Sequence, residues 1–186
     1  MVESLLAISI TTIAGAALMT SIGSAVQAAS RATDQAVARG LAAQMMDEIA
    51  AARVPAPTGT QATGGAMPLG QTTRDQFVSI DDYDGWSASP PVDRRGQPLG
   101  YEATAVGGGP VPRPASLRPD DRFLTQFTRE VVVEGVVPGP SSGWQVTTSE
   151  TGYRRVTVRV LFSNGSAPLA VLFENTRIFS YVPATP

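Results

Sequence analysis

A long uncharged segment near the start of the chain sets the strongest limit on its fold. Glu3 is followed by no other charged residue until Arg31. Because about 20 apolar residues in a helix suffice to cross the hydrocarbon of a bilayer, residues 1–30 are predicted to contain a membrane-spanning helix. The carboxylate at its head requires an explanation, since a charge placed in hydrocarbon is costly.

Small and hydroxylated side chains recur in this segment at spacings of three and four residues, which places them along one face of a helix. Such a face permits close backbone approach between membrane helices. The candidate helix-packing residues are Ser9, Thr12, Ala16, Thr20 and Ser24. The alternative is that these residue types are simply frequent in membrane helices.

The helical pattern continues over residues 31–54 with a different character. Charges are spread around the helix, and one apolar stripe recurs every four residues, which is typical of an amphipathic helix that buries one face. The stripe comprises Val37, Leu41, Met45 and Ile49. Pro55 and Pro57 predict the end of the helix.

The composition excludes several classes of chemistry. The chain has no His, no Cys and no Lys, and all 14 basic residues are Arg. Ser-His-Asp and Cys-His catalysis, a Schiff-base lysine and a Walker A lysine are therefore absent. A net charge of −2 gives no electrostatic case for nucleic acid. We expect neither an enzyme nor a cofactor, although the composition does not exclude a hydrolase that uses carboxylates alone.

The charges that flank the apolar segment are unusual for a membrane anchor. An anchor with a cytoplasmic N-terminus carries Lys or Arg before the apolar run, whereas here the first basic residue, Arg31, follows it. Two explanations are open. Either the helix is inserted in the opposite direction, or a basic leader is missing from this sequence.

The stretch MVESLLAISI resembles the N-terminus of type IV pilins and of the pseudopilins of type II secretion. That family has a basic leader ending in Gly, an aromatic first mature residue, and then a T-L-V-E-S-like pattern before a long apolar helix. Glu3 occupies the place of the family's Glu. The leader, its Gly and the aromatic residue are not in this sequence, and a start codon assigned too late, or a trimmed start, would explain both this and the missing basic flank.

The resemblance implies a fold, a role for Glu3 and a set of partners. The fold would be α+β, a long N-terminal helix packed on an antiparallel sheet. Glu3 would pair with the free N-terminal amine of a subunit, which fits the rule that a buried charge is paired. Partners would be other pilin or pseudopilin subunits, the inner-membrane assembly platform and, if the native gene encodes a leader, a prepilin peptidase.

The resemblance also implies a localisation and a function. The chain would be a single-pass inner-membrane protein with its sheet on the periplasmic or extracellular side, and would later enter a filament. It would be a structural subunit of a type IV pilus or type II secretion pseudopilus, minor rather than major because the C-terminal Cys pair common in major pilins is missing. One alternative is a membrane-anchored binding module outside any filament. Another is a secretory signal peptide cleaved after residues 26–28.

The remainder of the chain is predicted to be an antiparallel sheet domain, residues 77–186, after a Pro/Gly-rich linker at 55–76. A second loop covers residues 107–121. Period-two alternation in YRRVTVRVLF predicts a half-buried strand whose Val156, Val158, Val160 and Phe162 meet the apolar stripe of the helix. Asn164-Gly165 predicts a turn to a returning strand. The other candidate strands are 77–80, 101–106 and 123–137.

Two clusters in this domain are candidate binding sites. Asp81, Asp82 and Asp84 lie together on a predicted loop, and such carboxylates can bind Ca²⁺; some type II pseudopilins hold calcium in a loop. The alternative is a turn in which the Asp side chains accept hydrogen bonds from backbone N–H groups and Trp86 packs under the sheet.

A second group, Arg154, Arg155 and Arg159, has the composition of an anion patch. A solvated outer strand face is the favoured interpretation of these arginines. Trp144 and Tyr153 are expected in the core or in a subunit contact.

Overall fold

The computed structural model describes residues 2–55, 73–100, 123–140, 143–165 and 168–182. They form helix α1 (Val2–Ala50) and five strands. The strands are β1 (Ser87–Ala88), β2 (Phe127–Pro138), β3 (Trp144–Val146), β4 (Tyr153–Phe162) and β5 (Ala170–Ser180). The general α+β class that the sequence predicts, with one long N-terminal helix and an antiparallel sheet, is confirmed. The predicted strand at 101–106, the loop at 107–121 and residues 56–72 of the predicted linker lie outside the described residues.

The chain divides into two compact units, Met1–Val37 and Ala38–Pro186. Helix α1 contributes to both units, so the second unit begins inside the helix and not in the linker. The helix ends at Ala50, a few residues before Pro55, and Arg53 then forms an isolated parallel bridge to Ser79.

The sheet has the strand order β1-β2-β4-β5, and β3 also pairs with β2. All pairs are antiparallel. The central pair sets Val131 opposite Val158 and Val133 opposite Val156. Because residues two apart share a face, these valines lie on one side of the sheet, and all of them are buried.

The last part of α1 covers this valine face. Gln44 accepts a hydrogen bond from Arg129 of β2, and the Arg39 guanidinium lies 5.5 Å from the Phe173 ring centroid on β5. The helix residues buried here are Ala38, Leu41, Ala42, Met45, Met46 and Ile49. The predicted stripe is therefore found in the core, with Val37 only half-buried.

The prediction of a strand at 77–80 is wrong. Ser79 caps a 3₁₀ turn at Ile80–Tyr83, and the Asp82 side chain returns to accept from the Ser79 N–H. Reciprocal capping of this kind satisfies the first amides of a helical turn. The hydrophobic residues Phe77 and Ile80 are both buried, although residues three apart point to opposite faces of a strand, and the cap directs the backbone into a turn.

Candidate assembly surface and buried polar clusters

The first part of α1 carries a large exposed apolar surface. Its large side chains lie around most of the helix, since successive residues turn by about 100°. They include Leu6, Ile8, Ile10, Ile13, Leu18, Met19, Ile22 and Val26, each more than half exposed. An apolar window of this helix has a mean hydropathy of 1.9, so α1 is long and apolar enough to cross a membrane.

Glu3 lies in the first turn of α1 with its side chain exposed. A carboxylate near a helix N-terminus interacts favourably with the free amides and the helix dipole. Among the described residues, Glu3 is separated from the next acid, Asp34, by about nine helical turns.

The predicted small-residue stripe is exposed along its whole length. Its hydroxyl groups donate to the helix backbone: Thr12 to the carbonyl of Ile8, Thr20 to that of Ala16 and Ser24 to that of Ser21, at 2.8–2.9 Å. Hydroxyl protons paired in this way can enter hydrocarbon without leaving an unsatisfied donor. Ser9 and Ala16 complete the stripe, which is thus a narrow surface that another helix could approach closely.

The three loop carboxylates do not converge on one point, because each accepts hydrogen bonds from different residues. Asp81 makes a two-bond ion pair with Arg154, at 2.8 and 3.1 Å. Asp82 accepts from two backbone amides, Val78 and Ser79, both at 2.8 Å, and Asp84 accepts from the Val133 amide at 2.8 Å.

This geometry matches the turn interpretation of the acidic loop. No group of three or more His, Cys, Asp or Glu within the described residues is arranged to hold a metal ion. Calcium binding at Asp81, Asp82 and Asp84 stays a prediction, and it would require these side chains to leave their present partners.

The arginines of β4 do not form a common patch. Arg154 is buried between Asp81 and Glu150, whereas Arg155 pairs with Glu134 and Arg159 with Glu174 on the other face of the sheet. The solvated-face interpretation therefore fits Arg155 and Arg159 and is wrong for Arg154, which the strand alternation turns inward. The two carboxylates beside Arg154 raise the pKa of its guanidinium, against the effect of burial.

Sequence reasoning missed a buried cluster around Trp86. The guanidinium groups of Arg74 and Arg129 lie 4.3 and 5.6 Å from the Trp86 ring centroid. Arg74 pairs with Glu48 at 2.9 and 3.1 Å, and both arginines donate to the Val92 carbonyl. Arg74 is 2% exposed and Arg129 is 1% exposed, so two buried cations lie in one cluster, in which Arg74 is paired with the Glu48 carboxylate.

Burial shifts the pKa values of two groups in this cluster, Arg129 and Tyr83. Desolvation and the neighbouring Arg74 lower the pKa of Arg129 to about 10. Burial and the Glu48 carboxylate, which accepts from the Tyr83 hydroxyl at 3.3 Å, raise the pKa of Tyr83 to about 12. At neutral pH Arg129 is therefore charged and Tyr83 is protonated, and the cluster joins α1 to the sheet.

A cleft of about 310 Å³ opens beside this cluster. Its two carboxylates are already engaged, Glu48 by Arg74 and Tyr83, and Asp75 by the Thr73 hydroxyl. Its remaining lining residues are Ala51, Ala52, Phe77, Val78, Tyr83 and Arg94. In this geometry neither acid is held as a free general acid or base.

Trp144 and Tyr153 form a tilted ring pair with centroids 5.1 Å apart. Each is 38% exposed, so the expectation that they belong to the core is wrong. Their role in a subunit contact stays a prediction.

No family model matches this chain, and comparisons with curated proteins and with solved structures find no match either.

Proposed function

We propose that this chain is a structural subunit, a minor pilin or pseudopilin, of a type IV pilus or type II secretion pseudopilus. The observation that carries the proposal is the first part of α1. It is apolar on every side, carries one small-residue stripe, and has a single carboxylate, Glu3, at its head.

These features suit a helix that is stored in a bilayer and then packs among similar helices. In lipid, association between helices depends on close packing and on paired polar groups, because burial of apolar surface gives no net gain. The stripe of Ser9, Thr12, Ala16, Thr20 and Ser24 supplies the first requirement. Glu3 supplies the second when it meets a subunit's N-terminal amine.

The sheet domain would stand on the periplasmic or extracellular side and give the subunit its identity. Partners would be other subunits and the inner-membrane assembly platform, with a prepilin peptidase acting if the native gene encodes a leader. The work of such a subunit is assembly, so no catalytic residue or cofactor is assigned, and no nucleic acid is involved.

The test is isosteric removal of the Glu3 charge in the source cells. Glu3→Gln should leave the amount of membrane-inserted protein unchanged and strongly reduce the fraction recovered in sheared filaments, because the amine of the neighbouring subunit loses its counter-charge. Asp34→Asn, which removes the next acid of the same helix, is the matched control and should assemble normally.

Normal incorporation of Glu3→Gln would contradict the proposal. It would favour the alternative in which residues 1–30 only anchor a binding module, because an anchor needs hydrophobic length and no carboxylate.

A further inference from the structure

The two edges of the sheet differ in the described part of the chain. At the β2 edge, Val131 exchanges hydrogen bonds with Gly85 and Trp86 at 3.1 and 2.9 Å, and the Asp84 carboxylate accepts from the Val133 amide. Further along, β3 pairs with β2 over Val136–Pro138, and the Thr147 amide donates to the Gly135 carbonyl. This edge is closed in the sense that the backbone groups of β2 named here are already paired.

The β5 edge is open among the described residues. Strand β5 is 11 residues long and pairs with β4 on one side, and no described strand pairs with the other side. It contains no Pro, a residue with which proteins commonly block an exposed edge. Val171 is 54% exposed and Ile178 is 36% exposed, so apolar side chains flank the free backbone groups.

A second copy of this chain is a poor occupant of the β5 edge. Identical copies arranged head to tail would bring β5 against the closed β2 edge. Two copies could also pair through β5 about a twofold axis. Their sheets would then join into one sheet only if one residue of β5 lies directly opposite the same residue of the second copy, and the register is said to be centred on that residue. The three registers with the greatest overlap are centred on Glu174, Asn175 and Thr176.

Each of these three registers brings like charges near one another. The register centred on Glu174 places that residue opposite its own copy. Centring on Thr176 puts Arg177 diagonal to the second copy's Arg177. Centring on Asn175 puts Arg177 opposite the second copy's Phe173, over which Arg39 lies at 5.5 Å. Like charges at such cross-strand positions are destabilising.

Arg177 is at the same time available to a different partner. Its ion pair with Asp47 is long, at 3.8 Å, and the two side chains are 51% and 72% exposed. A solvated pair of this kind is weak. Glu174, by contrast, is held by Arg159 at 2.8 Å on the other face of the sheet. The free edge of β5 therefore carries one accessible cation, Arg177, and next to it in the sequence an apolar residue, Ile178.

We propose that the open edge of β5 binds an extended segment of a different protein chain, which adds a strand to the sheet and brings a carboxylate opposite Arg177 and an apolar side chain opposite Ile178. Main-chain hydrogen bonds provide affinity in this mode of recognition, and alternate side chains provide specificity. The proposal does not depend on filament assembly, since the segment can belong to another subunit or to a secreted protein.

The test uses the full chain in lipid nanodiscs and two fluorescent peptides of alternating Thr and Val that differ only in a central Glu or Lys. The Glu peptide should bind roughly five- to tenfold more tightly, from the combined effect of a favourable and an unfavourable cross-strand charge pair. Its binding should slow hydrogen exchange of the β5 amides.

Two variants locate the effect at the proposed edge. Arg177→Glu should reverse the preference between the two peptides. Arg95→Glu, which reverses an exposed loop charge outside the sheet, should keep the preference of the unaltered chain. Equal affinity for the two peptides, or an unchanged preference in Arg177→Glu, would overturn the proposal.

Single cysteines test the competing occupant, because the chain contains no Cys of its own. Asn175→Cys and Thr176→Cys lie at the centre of β5 and should remain monomeric under oxidising conditions. A disulfide-linked homodimer of either variant would show that β5 pairs with its own copy, and would also overturn the proposal.

Discussion

The Glu48 carboxylate is the counter-charge on which the buried cluster depends. It accepts two hydrogen bonds from Arg74 and one from Tyr83, and its side chain is 18% exposed. Arg129 lies in the same cluster without a carboxylate of its own among the described contacts. Glu48→Gln keeps the shape and one acceptor oxygen but removes the negative charge.

The expected loss of stability follows from the interactions that remain in Glu48→Gln. Removing one member of a buried ion pair typically costs about 3–5 kcal/mol, because the other charge is left uncompensated. Gln can still accept one bond from Arg74, and Glu48 has partial contact with solvent, so we expect about 2–3 kcal/mol. For a domain of this size that loss lowers the melting temperature by roughly 4–12 °C.

Glu174→Gln is the matched control, since it makes the same chemical change in the exposed pair with Arg159, where the side chains are 41% and 47% exposed. Such pairs contribute about 0–1 kcal/mol. Urea unfolding of the three proteins in the same detergent gives the comparison. If the two variants lose equal stability, the cluster is not acting as a buried charge set and the reasoning is refuted.

Two further predictions concern the core and the pH dependence of stability. Val158→Ala, at a side chain with no exposure, should cost about 2–3 kcal/mol from lost burial and the cavity left behind, against under 0.5 kcal/mol for exposed Val182→Ala, both measured by urea unfolding. Folding raises the pKa of Tyr83 from 10.0 to about 12, so the unfolded chain loses the phenolic proton of Tyr83 at a lower pH than the folded chain does. The stability that the Tyr83 hydroxyl contributes is therefore complete below pH 10 and lost toward pH 12. Accordingly, the stability difference between the chain and Tyr83→Phe should shrink over that range, and a constant difference would contradict the assignment.

The parts of the fold that depend on local periodicity could be predicted from the sequence. The four-residue spacing of Leu41, Met45 and Ile49 predicted the buried side of α1, and the alternation in β4 predicted the inward valines. Both follow from geometry internal to one element. The strand at 77–80 failed because the decisive contact, Asp82 returning to Ser79, competes with β-propensity over only four residues.

The buried arginines could not be predicted in the same way. Arg74 meets Glu48, which lies 26 residues earlier, and Arg129 meets Gln44, 85 residues earlier. Long-range pairs of this kind leave no periodic signal. One local clue existed, since Arg129 has the same strand parity as the buried Phe127 and Val131, and an inward arginine on a buried strand face requires a partner.

The central claim, that α1 assembles through its small-residue stripe, is tested most directly by one pair of substitutions. Ala16 lies on the stripe, and Leu18 lies on the opposite side of the helix at about 100° per residue. The measurement is the fraction of each variant recovered in sheared filaments relative to the membrane. The account predicts that Ala16→Trp blocks incorporation while Leu18→Trp assembles, with both inserted in the membrane. Equal incorporation of the two variants would contradict it.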